Sequence, residues 1–366
     1  MKRVLILTAS FGEGHNAAAR NLQKALIQCG GKDIEVHLED VFKTAYGGAN
    51  RLSEKLYLGV INYAPALWQC IYDLINNTDL IKKQIGMLGA AKKELQRLLA
   101  TYAPEWIIST YPGCNYLLDN IYRDSVSRPY RQATIITDSI TINTVWHRCF
   151  SDLFFVPNPD TTEVLLRRRI PSEKIQTLGF PVPVEFTELR TSRKYPPEDG
   201  IWRVLYVINS AQHLAPPLVE RLLMIPKIEL TATYGHDEHL RDALQASAQK
   251  VGKKITLHGW IPDLPRIMAE NHLIISKAGG ATVQECLAAA TPLIASQVIP
   301  GQEVGNAILL ERHHAGTVAD TPDKIISAVQ KALENNGELL QKWHAGATSL
   351  SRPDASLSIA KFILNH

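Results

Sequence analysis

Nowhere in the 366 residues is there an apolar run near the roughly 18 that a membrane-spanning helix requires. The opening Met1-Lys2-Arg3 ahead of Val4 to Leu7 has the charge of a secretion signal but not its apolar length, because Glu13 and His15 follow at once. Cysteine is scarce: Cys29, Cys70, Cys114, Cys149 and Cys286 are scattered, odd in number and form no CxxC pair. That pattern argues against a disulfide framework or a structural zinc and for a reducing compartment. An excess of one charge is missing too, since a net +3 is too small to imply a nucleic-acid partner. Internal repeats and low-complexity tracts are also absent. What remains is a cytosolic protein, or one resting on a membrane face.

The length suggests two domains, and a 45% hydrophobic content supports well-buried cores. Apolar strand-like runs at Val4–Ala9, Ile34–Leu38, Trp106–Ser109, Thr134–Thr137, Leu153–Val156 and Ile175–Leu178 alternate with helical patterns. A second series follows at Arg203–Ile208, Ile228–Tyr234, Ile255–Leu257, Leu273–Ser276 and Leu293–Ala295. Such alternation implies α/β architecture, two doubly wound Rossmann-like domains with parallel sheets. The expected division is 1–186, a polar linker at 187–200, a second domain at 201–350, and a last helix at 351–366 crossing back to the first. Ligands of such sheets bind at the C-terminal strand edges, so two facing domains create a cleft.

The segment from His272 to Asn306 carries the densest chemistry. An apolar strand runs into Gly279-Gly280 and Thr282, then a helix with Glu285, a further strand, and a loop with Gln302, Glu303 and Asn306. A glycine turn at a helix N-terminus favours a phosphate, through unpaired N–H groups and the helix dipole. Glu285, one turn in, suits a ribose, and the amides and carboxylate downstream suit sugar hydroxyls. A tightly packed α/β crossover would explain the glycine turn alone; the three downstream residues favour the ligand.

The first βα turn, Ser10 to Ala17, reads two ways. Gly12, Gly14 and Ala17 match the dinucleotide fingerprint, and Glu39 or Asp40 ends the next strand region, as an NAD-dependent oxidoreductase would require. Against this, His15 occupies the start of the helix. A histidine there favours its neutral form and can accept a proton. Asp138, at the end of another strand, either faces the cleft or caps a helix.

These motifs resemble the diacylglycerol glycosyltransferases, a family that includes plant monogalactosyldiacylglycerol synthases and bacterial processive diacylglycerol glucosyltransferases. It is distantly similar to the enzyme adding N-acetylglucosamine to the lipid-linked peptidoglycan precursor. The pattern T-K-x-G-G-x-T-x-x-E is matched by Ser276 to Glu285, P-G-Q-E-x-x-N by Pro300 to Asn306, and G-x-G-H by Gly12 to His15. The resemblance implies a GT-B fold and an inverting hexosyltransferase using a UDP-sugar, with His15 as general base and Asp138 orienting the acceptor or assisting. Gly279, Gly280, Thr282, Glu285, Gln302, Glu303 and Asn306 would hold the donor, with no metal or other cofactor. One departure concerns the loop Asn209-Ser210-Ala211-Gln212-His213, which lacks the family's glycine. Ser210 or His213 would then donate to the diphosphate instead. A catalytically silent UDP-sugar-binding relative therefore stays open beside the oxidoreductase.

Between Tyr46 and Arg97 tyrosines, Trp68 and aliphatic residues cluster ahead of Lys82, Lys83, Lys92, Lys93 and Arg97. Packed helices with solvated lysines would explain this composition. The resemblance implies instead a lipid acceptor taken up here, with Gly12, Gly14, Tyr57, Trp68, Lys82 and Lys83 on the acceptor and membrane side. The expected location is the cytoplasm, peripheral on the inner face of the cell membrane, where lysines meet anionic lipid. His236 to His239 and His313-His314 lack metal-ligand spacing.

Overall fold

The computed structural model describes residues 1–10, 12–48, 59, 65–78, 88–189, 193–261 and 263–366. Tyr57, Lys82 and Lys83 lie outside them. The chain forms two compact units, one of Met1–Val184 with Ile299–Gly305 and Asp354–His366, the other of Glu185–Val298 with Asn306–Pro353.

The first unit holds β1 (Lys2–Thr8), β2 (Ile34–Asp40), β3 (Trp106–Ser109), β4 (Arg131–Ile135), β5 (Leu153–Phe155) and β6 (Ile175–Gln176). They form one parallel sheet in the order β2-β1-β3-β4-β5-β6, with β1 and β2 registered from Lys2↔Ile34 to Thr8↔Asp40. Val4 to Leu7 are all fully buried, as a strand covered on both faces must be. Val4 and Ile6 pack with Leu22 and Leu26 of α1 (Glu13–Gly30), while Leu5 and Leu7 face Leu95, Leu98 and Leu117. Each such side chain contributes about 1.5–3 kcal/mol of burial. Helices α2 (Val41–Tyr46), α3 (Pro65–Asn77), α4 (Gly89–Tyr102), α5 (Pro112–Ile121) and α6 (Pro159–Arg167) complete the layers.

In the second unit β7 (Trp202–Val207), β8 (Ile228–Gly235), β9 (Thr256–Gly259), β10 (Leu273–Lys277), β11 (Leu293–Gln297) and β12 (Gly316–Val318) run in the order β12-β11-β10-β7-β8-β9. That is the strand order of a dinucleotide-binding sheet, reversing between β7 and β10; the first sheet reverses between β1 and β3. Its helices are α7 (Ala215–Leu223), α8 (Glu238–Lys250), α9 (Leu264–Glu270), α10 (Gly280–Ala288), α11 (Val304–Arg312) and α12 (Pro322–Leu350). α12 is interrupted at Asn335, Asn336 and Gly337, which take φ of 50°, 57° and 76°. Gly337 admits no side chain, since a Cβ there would lie 2.3 Å from the Trp202 ring.

The polar stretch before β7 is anchored within the second unit. The Arg193 guanidinium donates to the carbonyls of Asn271, Ala289 and Ala290 and to Thr291 Oγ1. The final helix, α13 (Ala355–Asn365), belongs to the first unit. Ile359 and Ile363 join the core beside Val4 and Ile6, and Lys2 Nζ donates to the carbonyls of Ile363 and Leu364, both at 2.9 Å.

Candidate active site

In the first unit β1 delivers the chain to Gly12, whose φ of 132° and ψ of 134° no other residue adopts without strain. His15 follows in the first turn of α1. Its Nδ1 lies 3.1 Å from Thr137 Oγ1, and its half-buried ring meets Tyr111 edge-on at 5.3 Å and Trp146 at 5.8 Å. Burial pushes the imidazole pKa down to about 4, against a hydrogen bond with the Thr110 backbone that raises it. The neutral ring anticipated for a helix start is thus present, with desolvation as its leading cause.

Asp138 accepts a 2.8 Å hydrogen bond from Trp146 Nε1. Burial is the main influence on its carboxyl and raises the pKa to about 6; the Trp146 bond opposes the rise and the charge of Glu303 adds to it. The helix-cap alternative does not apply, because Asn143 caps the short turn at Thr144–Trp146. Trp146 therefore touches both residues, His15 by its ring and Asp138 by its N–H. Sequence spacing had given Trp146 no role.

The acids needed for a dinucleotide are engaged elsewhere. Asp40 accepts from Ser10 Oγ at 2.6 Å and from the Lys43 backbone at 2.9 Å, and Glu39 accepts from Tyr102 at 2.8 Å.

In the second unit the Gly279-Gly280 turn leaves β10 at the reversal point of the sheet. Gly279 caps α10 with φ −62° and ψ 144° and, having no side chain, provides no side-chain cap hydrogen bond. Thr282 and Glu285 are half-buried on α10. Asn306 is 1% exposed, its Nδ2 donates to Ala278 O at 2.9 Å, and its Oδ1 meets no hydrogen-bond partner among the described residues. It holds the carbonyl just ahead of the turn rather than facing solvent. Gln302 and Glu303 belong to the first unit; Glu303 is 3% exposed and its Oε2 accepts from Ile299 N at 2.8 Å. Ser210 is half-buried beside Ala211, which takes φ 48° and ψ 39°. The loop adopts a glycine-like conformation without glycine.

An aromatic pair was not foreseen. His236 and Trp260, beyond the C-terminal ends of β8 and β9, stack at 5.3 Å with their planes 11° apart, and Trp260 is 68% exposed.

The membrane residues divide. On α3, Leu67 and Leu74 are 53% and 52% exposed, while Trp68 is half-buried against Tyr72 at 6.3 Å. Lys92 bonds Asn120 Oδ1 at 2.8 Å and Arg97 pairs with Glu94, so neither is simply a free surface cation; Lys93 is exposed. Among the described residues no helix is long and apolar enough to cross a membrane.

A family model described as monogalactosyldiacylglycerol (MGDG) synthase matches residues 15–182, and one for the glycosyltransferase family 28 C-terminal domain matches 208–355. The chain is similar to the processive diacylglycerol beta-glucosyltransferase of Bacillus cytotoxicus, at 25% identity over 374 residues, covering 100% of this chain and 94% of that enzyme. Among solved structures, Acinetobacter baumannii MurG matches with a TM-score of 0.63 and 17% identity, covering 100% of both chains. The UDP-GlcNAc 2-epimerase of Neisseria meningitidis, solved bound to UDP-GlcNAc, matches with a TM-score of 0.61 and 14% identity, again over 100% of both chains. These structural likenesses carry the fold alone. With the two family models and the full-length relative, they make the chain a glycosyltransferase of GT-B fold, matched over residues 15–182 by the MGDG synthase model and over 208–355 by the family 28 C-terminal model.

Proposed function

We propose that the chain transfers a hexose from a UDP-sugar to the hydroxyl of a diacylglycerol-like lipid, with inversion at the anomeric carbon. The observation that carries this reading is the neutral His15 ring, kept unprotonated by burial and tied through Trp146 to the carboxyl of Asp138. In the reaction the acceptor oxygen attacks the anomeric carbon, the bond from that carbon to the diphosphate oxygen breaks, and His15 takes the hydroxyl proton. Asp138 accepts a hydrogen bond from the acceptor and orients it.

On the donor side the uncapped N-terminus of α10, with Gly279, Gly280 and Thr282, takes the diphosphate and stabilises the charge on departing UDP. No resident metal is invoked, since the dipole and amides supply that stabilisation. Glu285 holds the ribose, Ser210 donates to the diphosphate, Gln302 and Glu303 hold the sugar, and Asn306 fixes the turn. The stacked His236 and Trp260 offer a flat face to the base. Support for donor and acceptor comes from the epimerase bound to UDP-GlcNAc and from relatives named diacylglycerol beta-glucosyltransferase. A beta product from an alpha-linked donor is what one displacement gives.

The protein is proposed to work peripherally on the cytoplasmic face of a membrane, with Leu67 and Leu74 of α3 and the exposed Lys93 turned to lipid. The test is transfer from each UDP-hexose to diacylglycerol in anionic vesicles, together with thermal melting in UDP or NAD. UDP at ~100 times its dissociation constant should add about 2.7 kcal/mol to stability. A shift with NAD and none with UDP, or UDP binding without transfer to any lipid, would overturn the reading.

A further inference from the structure

The loop from Ile299 to Gly305 carries Gln302 and Glu303, and it is built into the first unit. Gly301 takes φ 82°, and a Cβ added there would lie 2.8 Å from Cδ1 and Cγ of Tyr72 on α3. The Tyr72 ring thus fills the space a side chain at Gly301 would need. Its hydroxyl donates to Thr141 O at 3.1 Å, and Thr141 Oγ1 donates back to Gly301 O at 3.5 Å. Gly305 closes the other end, where a Cβ would fall 1.7 Å from Ser139 O and 2.6 Å from Thr141 N. α3 is itself bolted to the same strip: Thr144 N and Oγ1 donate to Oδ1 and the carbonyl of Asn76 at 2.9 and 2.6 Å, and Asn143 Nδ2 donates to Tyr72 O at 3.3 Å. Two glycines at the points of contact leave the loop little room to shift without moving Tyr72 or Thr141.

We propose that Tyr72 is a positioning residue for the glycosyl donor: its ring, wedged on Gly301, sets the height of the loop that presents Gln302 and Glu303. The inference rests on the reading of that loop as the sugar-holding one. It ties α3, whose far side exposes Leu67 and Leu74, to the donor rather than to the acceptor alone.

The experiment is steady-state kinetics on the full chain with UDP-hexose and lipid vesicles, alongside inhibition by UDP and the melting temperature of each variant. Tyr72→Ala should raise the donor KM by about tenfold to a hundredfold, the scale of a 1 Å misplacement, with inhibition by UDP unchanged because UDP lacks the sugar. Tyr72→Phe keeps the ring and should restore the parental KM. Gly301→Ala should reproduce the defect, and the double variant Gly301→Ala with Tyr72→Ala should be less than the sum, because the clash has lost one partner. A variant that melts early is read from Tyr72→Phe and the double variant, which separate loop placement from lost folding. Gln302→Ala distinguishes the two readings. If it raises the donor KM while Tyr72→Ala does not, Tyr72 does not position the loop. If Tyr72→Ala raises it and Gln302→Ala does not, positioning stands and Gln302 loses its role. If neither does, both ideas fail. Equal weakening of UDP and UDP-hexose in Tyr72→Ala would also overturn the proposal, since it marks general damage.

Discussion

The two sheets each bring a glycine turn and a helix N-terminus to their reversal point, and the two turns differ in what the glycine is for. At Gly12 the backbone stands at φ 132°, so glycine is demanded by conformation, and the helix start beyond it is filled by His15 under Trp146 and Tyr111. At Gly279 the backbone is ordinary, φ −62°; its helix start, like the one after Gly12, has no side-chain cap hydrogen bond, but it carries the small Gly280 and Thr282 where the other carries the His15 ring. A glycine needed for the chain's own bend and one that leaves space for a ligand look alike in a motif. What separates them is the occupant of the helix terminus. The fingerprint at Gly12 belongs to the first kind, and its would-be ribose acid, Asp40, is held by Ser10 and the Lys43 N–H.

The largest effect should come from His15→Ala. Loss of a general base costs about 10²–10⁴ in turnover, while UDP binding should hold, because the donor turn lies in the other unit. Retained turnover in a protein that merely melts earlier would make His15 a structural residue like Gly12 beside it.

Acidity offers the next break. Above pH 6 the Asp138 carboxyl is ionised and His15 is neutral; as pH falls, Asp138 protonates first, near 6, and His15 only near 4. Transfer should therefore lose about tenfold per pH unit below 6, and Asp138→Asn, though slower, should shift its acid limb toward 4. A parental profile flat from pH 6 to 4.5 would remove Asp138 from the reaction.

The glycines themselves come third. Gly12→Ala forces a side chain into a region that costs about 1–3 kcal/mol, and should lower the melting temperature. Gly279→Ala should cost about 0.5–1 kcal/mol at a cap position, where alanine ranks below glycine, and chiefly weaken UDP binding. The reverse outcome would exchange the two assignments. The smallest effect is expected at Ala211, whose left-handed backbone costs about 1–2 kcal/mol for a side-chain-bearing residue. Ala211→Gly should raise stability by less than that, because glycine also frees the unfolded chain; a loss of stability would show the turn to be held by Ala211's methyl group.

Legibility followed burial. Strands such as Val4–Leu7 and Leu273–Ile275 are fully buried and read as unbroken apolar runs, so their existence was plain. β4 begins at Arg131, earlier than its apolar run suggested, because backbone pairing and not hydrophobicity sets its start: Arg131 lies opposite Trp106 of β3 and its N–H donates to Glu105 O at 2.9 Å. β12 was missed, since Gly316-Thr317-Val318 is too short to carry a period. The GxGH and GGxTxxE motifs could be read because their chemistry is local. Trp146 could not, as its two contacts lie 8 and 131 residues away in the chain; nor could the His236–Trp260 stack, formed between two strand ends. The lysines illustrate the opposite error. A basic run looked like one surface, yet Lys92 is tied to Asn120 and only the fold decides which lysines face out.

The helix α13 has a consequence for synthesis. Ile359, Ala360 and Ile363 fill the same core as Val4, Ile6 and Leu22, and Lys2 reaches carbonyls more than 360 positions later. Vectorial synthesis normally lets an N-terminal domain fold first. Here one face of β1 completes its packing only when α13, some 350 residues later, is available to cover it. The second unit takes its residues from between β1 and α13, so its core closes without that long-range contact.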